Sequence, residues 1–401
     1  MTSEPPTTRT GAMIQRQVVV HPDRSVFAYA VRGVVPGPDG REQPEGSVEH
    51  LVDGVLRTVD LERLSGNRPI IVRATRELLS SPDSLVAPHG LVLEVPPAHQ
   101  QGPGATRRLA ALTEAAVRLS LADYTGHPVQ DALLPYVQMV KLDATLPPVR
   151  LAELVQRAAG AGAVVVAENA TSRARVSSAL EAGAELLQGP LVLQNQPSEE
   201  RRTFSAGEIQ CLELLRQVSA PEPDPLEYGA TVESDPELSM RVLHLVNSSA
   251  AGVRHRVDSV QQAVRMVGPR RLAALATAAL VGATPTSMET LWYLLTRAHA
   301  CAALSGDNAA YTVGLLSAVA AHLRLPTAQL VARTGVSAAV ADALEHHSGP
   351  YGHVLAAVLA QETNDPKALA ATGLDAYDVA RTYLEAVPQA LSLATRLAQA
   401  A

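Results

Sequence analysis

The chain has 401 residues, 47% of them hydrophobic and 18% charged, with a formal net charge of −7. This length suits two domains with cores of their own, and the balance excludes a disordered or fibrous chain. The negative charge gives no general reason to expect nucleic acid, and the isolated Cys211 and Cys301 exclude a disulfide framework and fit a reducing cytoplasm. Nearly all cations are arginine, with Lys141 and Lys367 the lysines. The longest apolar run, Leu272 to Val281, is shorter than the roughly 20 residues that a bilayer span needs. Residues 1–12 are polar and rich in Thr and Pro, without the apolar segment of a signal peptide, and read as a loose tail.

From residue 13 the pattern is β-type. IQRQVVVHP, a turn at Asp23-Arg24 and SVFAYAVRGVV read as two strands, and a helix follows at about 47–60. Short apolar runs then alternate with helices: PIIVRA, LVLEV, a helix at 105–118, LSLADYTG, VQMVKLD, a helix at 148–159, AVVVAE, a helix at 171–181, and AELLQG. That alternation implies parallel strands joined by crossovers, and the number of units favours a closed (β/α) barrel over an open sheet. Polar residues gather where strands end: Glu94, Asp123, Lys141, Asp143, Glu168 and Gln188. On a barrel those positions share one rim, where such folds build sites.

Residues 197–204 read as a linker, and from Ser205 to residue 401 the period is helical. The best-defined stretch is Asp235 to Gly268. Asp235 is an N-cap with Pro236 at the first helical position, and Leu238, Val242, Leu245 and Val246 form one apolar face. Asn247-Ser-Ser and Gly252 make a corner. Ser259 with Gln262 then starts a second helix carrying Val260, Ala263, Val264 and Val267, which Gly268-Pro269 stops. Residues 375–398 read as a terminal amphipathic helix, or a helix pair interrupted at Pro388.

DPELS, RVLHLVNSSAAG, SVQQAVRMVG with the following RRL, LWYLL and AYTVGLLSAVA occur in the order and spacing of the HDOD domain, an all-α relative of the HD phosphohydrolases that this region resembles. The resemblance implies a regulatory helical domain without hydrolase chemistry. Ser317-Ala318 stand where catalytic relatives carry a metal-binding His-Asp pair, and neither can replace an imidazole or a carboxylate.

The first half carries RQ at 16–17, LEV at 93–95, ADYTG at 122–126, KLD at 141–143, AEN at 167–169 and QG at 188–189. In that order these resemble EAL domains, barrel phosphodiesterases that cleave cyclic di-GMP with two metal ions. Glu94, Asp123, Lys141, Glu168 and Gln188 match the family pattern. Ala30 stands where the family has its signature Glu, Arg73 where it has a ligand Asn, and Ala122 where it has the first of paired Asp residues. Too few hard oxygen donors remain for two divalent ions. Arg73 adds a cation that does not deprotonate, and it is expected to occupy the vacated position and pair with Glu94 or Asp123.

The architecture these patterns and resemblances imply is α/β plus all-α: a degenerate EAL-like barrel at 13–196, then an HDOD helical domain at 205–401. No metal or cofactor is expected. The resemblance implies a cytoplasmic bacterial signalling scaffold or sensor acting through protein partners, with a homodimer as one option. The alternatives are a cyclic di-GMP effector with an inert barrel, its ligand pocket formed by Arg73, Glu94, Asp123, Lys141, Asp143, Glu168 and Gln188, and an active phosphodiesterase. Arg254, His255, Arg256, Arg265, Arg270 and Arg271 form a basic cluster suited to an acidic partner. With aromatics at 3%, no stacking platform for single-stranded nucleic acid accompanies it.

Overall fold

The computed structural model describes residues 11–37, 41–81, 90–102, 104–189, 205–220, 222–248, 257–282, 288–323 and 325–399. Eight strands close into one barrel in sequence order: β1 (Met13–Val20), β2 (Val26–Val34), β3 (Ile70–Arg73), β4 (Leu91–Val95), β5 (Arg118–Leu121), β6 (Met139–Asp143), β7 (Val164–Glu168) and β8 (Leu186–Gln188). Strands β2 to β8 run parallel, whereas β1 pairs antiparallel with both β2 and β8. The β1–β2 turn is held by Asp23, whose carboxylate accepts from the Ser25 amide at 2.9 Å and the Ser25 hydroxyl at 2.6 Å.

The strand period of two builds the site directly. Val19, Ala28, Ile71, Val92, Met139, Val166 and Leu186 form an apolar layer inside the barrel. Two residues along these seven strands, toward the same end, come Gln17, Ala30, Arg73, Glu94, Lys141, Glu168 and Gln188. Side chains alternate faces along a strand, so these residues form the next interior layer. The lower layer is apolar and buried, leaving the upper one as a polar floor at the C-terminal ends of the parallel strands.

The chain divides into two compact units. The first comprises residues 1–194, 360–371 and 375–381. Two short stretches from the C-terminal region thus belong with the barrel. Ala380, with Ala376 and Tyr377, packs on Met13 and Val34 at the ends of β1 and β2. The linker expected at 197–204 lies outside the described residues.

The second unit is helical, and its element starts follow local chemistry. The Asp235 carboxylate accepts from the amides of Glu237 at 2.8 Å and Leu238 at 3.1 Å, opening the helix Pro236–Ser248. Ser259 likewise caps Val260–Val267. Asn247 closes this pair of helices by exchanging two hydrogen bonds with the Val257 backbone. Gly252 lies outside the described residues. The terminal helix is single, Ala376–Gln399, with Pro388 inside it, so of the two readings of this stretch the single helix is the one observed. An interior proline costs about 3 kcal/mol. Here Tyr383, Ala386, Val387, Ala390, Leu393 and Ala394 are buried around it, and the Trp292 indole N–H donates to the Val387 carbonyl at 2.8 Å, which offsets that cost.

Helices Met288–Ser305 and Asn308–Leu323 cross closely at Gly314. A Cβ there would lie 2.7 Å from the Arg297 carbonyl oxygen and 2.8 Å from Ala298 Cα. On an exposed helix Gly→Ala stabilises by roughly 1 kcal/mol, whereas overpacking costs about 1–3 kcal/mol. Gly314→Ala is therefore expected to destabilise the helical unit, read as an earlier urea transition in the fluorescence of Trp292. A later transition would show that the crossing has slack.

Candidate functional site

The upper layer of the barrel opens into a cavity of about 260 Å³. Arg73, Glu94, Asp123, Lys141, Glu168 and Gln188 all line it. Asp143 does not. Its carboxylate accepts from the Thr145 amide at 2.8 Å and serves the turn after β6.

Arg73 is the centre of the arrangement. It ends β3, and in the β3–β4 register it stands beside Glu94. Its Nη1 donates to Glu94 at 2.8 Å and its Nη2 to Asp123 at 2.9 Å. Its Nε donates to Glu45 Oε1 at 2.5 Å, and Nη2 reaches Glu45 Oε2 at 3.2 Å. Burial disfavours the guanidinium charge, but Glu94, Glu45 and Asp123 outweigh it and hold the proton more tightly than usual. Lys141, 1% exposed, pairs with the other oxygen of Glu94. Burial pushes the Glu94 carboxyl up, and the cations Lys141 and Arg73 more than reverse that, leaving it below the usual range.

Glu168 differs. No hydrogen-bond or ion-pair partner is present for its carboxyl among the described residues. Burial is the largest influence on it, opposed by Lys141 and reinforced by Glu94 and Asp123, and its pKa is pushed up to about 7. Two rim residues adopt left-handed backbone, Asp123 with φ 48° and Asn169 with φ 59°. Asp and Asn tolerate that conformation better than other side chains, and the reversal lets the chain leave β5 and β7 abruptly.

Several lining residues carried no assigned role in the sequence. Gln15, Gln17 and Arg32 come from β1 and β2, Asn169 and Thr171 follow β7, and Thr363 and Asn364 come from the C-terminal stretch of the same unit. Gln17 and Asn169 sit inside short motifs, and strand alternation was the signal that could have found Gln15. Glu45 has no such signal, being an ordinary first-turn acid on the helix Glu45–Leu56.

A pair of divalent ions does not fit these residues. Both oxygens of Glu94 are in ion pairs, Asp123 and Glu45 are held by Arg73, and Ala30 contributes no donor. Among the described residues no group of three or more His, Cys, Asp and Glu side chains is arranged to hold a metal. In the helical unit Ser317 Oγ accepts from Nη1 of Arg297 at 3.2 Å, and that arginine is 1% exposed. Arg254, His255 and Arg256 lie outside the described residues. Arg265, Arg270 and Arg271 are exposed, and Arg270 is held to Asn308 and sits over the Tyr311 ring at 5.3 Å.

The family model described as HDOD domain matches residues 210–371. Residues 210–371 are an HDOD domain. This stretch includes the capped helices from Asp235 to Gly268 and the tight crossing at Gly314, both now features of that domain. "Uncharacterized protein YuxH" of Bacillus subtilis is 24% identical over 407 aligned residues, covering 93% of this chain and 97% of its own. "Cyclic di-GMP phosphodiesterase CdgJ" of Vibrio cholerae is 25% identical over 256 residues, covering 61% of this chain. The match spans 59% of that relative's length. Among solved structures, the FimX EAL domain from Pseudomonas aeruginosa bound to c-di-GMP matches 45% of this chain and 88% of its own, at 14% identity and a TM-score of 0.35. An EAL domain protein from Listeria monocytogenes matches 47% of this chain and 92% of its own, at 14% identity and a TM-score of 0.36. No helix among the described residues is long and apolar enough to cross a membrane.

Proposed function

We propose that this chain is a non-catalytic regulatory protein of cyclic-dinucleotide signalling, acting as a scaffold or sensor through contacts with partner proteins. The observation that carries this reading is the engagement of Glu94 and Asp123 by Arg73. Two-metal hydrolysis needs those oxygens free to hold the ions and position a hydroxide. Here a guanidinium holds them instead, and a guanidinium supplies charge but no activated water. The HDOD domain supports the regulatory half of the reading, because Ser317, at the position where catalytic relatives carry a metal ligand, instead accepts a hydrogen bond from Arg297. The full chain incubated with cyclic di-GMP and Mg²⁺ or Mn²⁺ is expected to leave the dinucleotide intact by chromatography. Linear product that scales with protein concentration refutes the proposal.

The similarity to CdgJ favours a second reading, a cyclic di-GMP effector that binds without cleaving. Against it stands the state of Arg73, whose N–H groups are largely spent on carboxylates and so offer little to a phosphate. Calorimetry with cyclic di-GMP separates the two. Micromolar binding that Arg73→Ala abolishes supports the effector, and no heat supports the scaffold.

A further inference from the structure

The cavity is lined by cations that are already satisfied and by acceptors that are not. Arg32 donates to Glu42 at 2.7 Å and to Gln15 at 2.8 Å, Lys141 is paired with Glu94, and Arg73 is held by three carboxylates. Arg32, Arg73 and Lys141 line the cavity with Glu94, Asp123 and Glu168, and Glu42 and Glu45, which do not line it, add further carboxylates to Arg32 and Arg73, so no lining cation is left without a counter-charge.

The two buried atoms of the lining that have no partner, Gln188 Oε1 and Asn364 Oδ1, both accept. Gln188 is 7% exposed, and its Nε2 donates to Gln17 at 2.8 Å while its buried Oε1 has no partner. Asn364 Oδ1 is buried without a partner as well. Glu168 faces the same cavity with its carboxyl unengaged. A buried acceptor left unmade costs about 1–3 kcal/mol, so two in one cavity are a reason to look for a donor that arrives from outside.

Asn364 is placed firmly. The helix Gly349–Thr363 ends with the Asn364 amide donating to the Gln361 carbonyl at 3.3 Å and the Asp365 amide to the Ala360 carbonyl at 2.9 Å. That is the paired closure of a left-handed helix terminus, and Asn364 has the φ of 52° that it needs. Asp365 then caps the next helix by accepting from the amides of Lys367 and Ala368. The turn accounts for an Asn at this position. It does not account for burying its oxygen unpaired in a cavity wall.

We propose that the barrel mouth binds a small organic cation, an alkylammonium or guanidinium compound, whose N–H groups donate to Glu168, Gln188 Oε1 and Asn364 Oδ1. A metal ion is a poorer occupant, because Glu94 and Asp123 are committed to Arg73 and no cluster of three ligating side chains exists among the described residues. A phosphate ester is poorer still, since the lining cations are already held by carboxylates and the buried unpartnered atoms accept. The inference goes beyond the non-catalytic reading and is read separately from it, by binding and not by turnover.

The test is calorimetry on the full chain with agmatine, which carries a guanidinium and an ammonium, and with glutarate as an anionic control. Agmatine is expected to give saturable heat and glutarate none. Asn364→Gly keeps the left-handed turn, and Glu168→Gln keeps the shape, so both variants are expected to fold. Each is expected to weaken agmatine about tenfold or more, the loss typical of one hydrogen bond to a charged group. Absence of agmatine binding, equal binding of glutarate, or agmatine affinity unchanged in both variants would overturn the proposal. Cleavage of cyclic di-GMP, by contrast, would refute the non-catalytic reading while leaving these titrations to decide this one.

Discussion

Arg73→Ala is expected to destabilise the barrel by about 3–5 kcal/mol at neutral pH, the range for removing one member of a buried ion pair. The cost falls mainly on Glu94, whose side chain is 4% exposed, because Asp123 and Glu45 are 44% and 41% exposed and can turn to water. Lys141 would remain as the one cation on Glu94. Arg73→Lys is expected to recover only part of the loss, since an ammonium cannot span Glu94, Asp123 and Glu45 as the planar fork does. The pH dependence carries the sign. Glu94 has a folded pKa below its ordinary value, so its stabilisation is present above the unfolded pKa and is lost as pH falls through the folded one. The gap between wild type and Arg73→Ala should therefore be widest near neutrality and close in acid. Urea melts of both proteins at several pH values, with hydrogen exchange of the β3 and β4 amides to localise the change, check this. A gap that stays constant into acid would mean that Arg73 acts through packing and not through its carboxylate partners.

Much of this architecture could be read from the chain because its signals are local. The start at Asp235 and the cap at Ser259 depend on residues within one helical turn, and in the structure Asp235 accepts from the Glu237 amide and Ser259 from the Gln262 amide, the forward half of the capping box that the Ser259/Gln262 spacing implies. The barrel could be read from apolar runs of strand length. Arg73 meets Glu94 because the two lie at the ends of neighbouring parallel strands, where their register is short-range information. Glu45 and Asn364 could not be read. Glu45 reaches Arg73 across 28 residues from an unremarkable helix start, and Asn364 joins the cavity from a stretch grouped by pattern with the helical region. Nothing in a helix's own periodicity says which neighbour its last turn will meet. Pro388 left two readings open for the converse reason. A local rule marks a break there, and tertiary burial of Val387 and Ala390 overrides it.

Glu168→Gln is expected to stabilise the protein at pH 8 relative to wild type, by an amount that disappears in acid. Glu168 titrates at about 7 in the folded chain against an ordinary 4.5. Below 4.5 it is protonated in both states and contributes nothing to the pH dependence. Between 4.5 and 7 the unfolded chain releases the proton and the folded chain retains it, so stability falls as pH rises. Above 7 the full penalty is present, about 3 kcal/mol at roughly 1.4 kcal/mol per pKa unit. The groups that set it come from four neighbouring positions: Lys141 and Arg73 favour the charge, Glu94 and Asp123 oppose it, and burial outweighs them all. A glutamine of the same shape never ionises, so the difference between variant and wild type should grow by about 3 kcal/mol from pH 4.5 to pH 8. It should grow in the opposite direction to the acid loss expected from Glu94, which separates the two carboxyls in one series of melts. A flat difference across that range would place a normal carboxylate at 168. It would also mean that the barrel mouth is wetter than its burial implies.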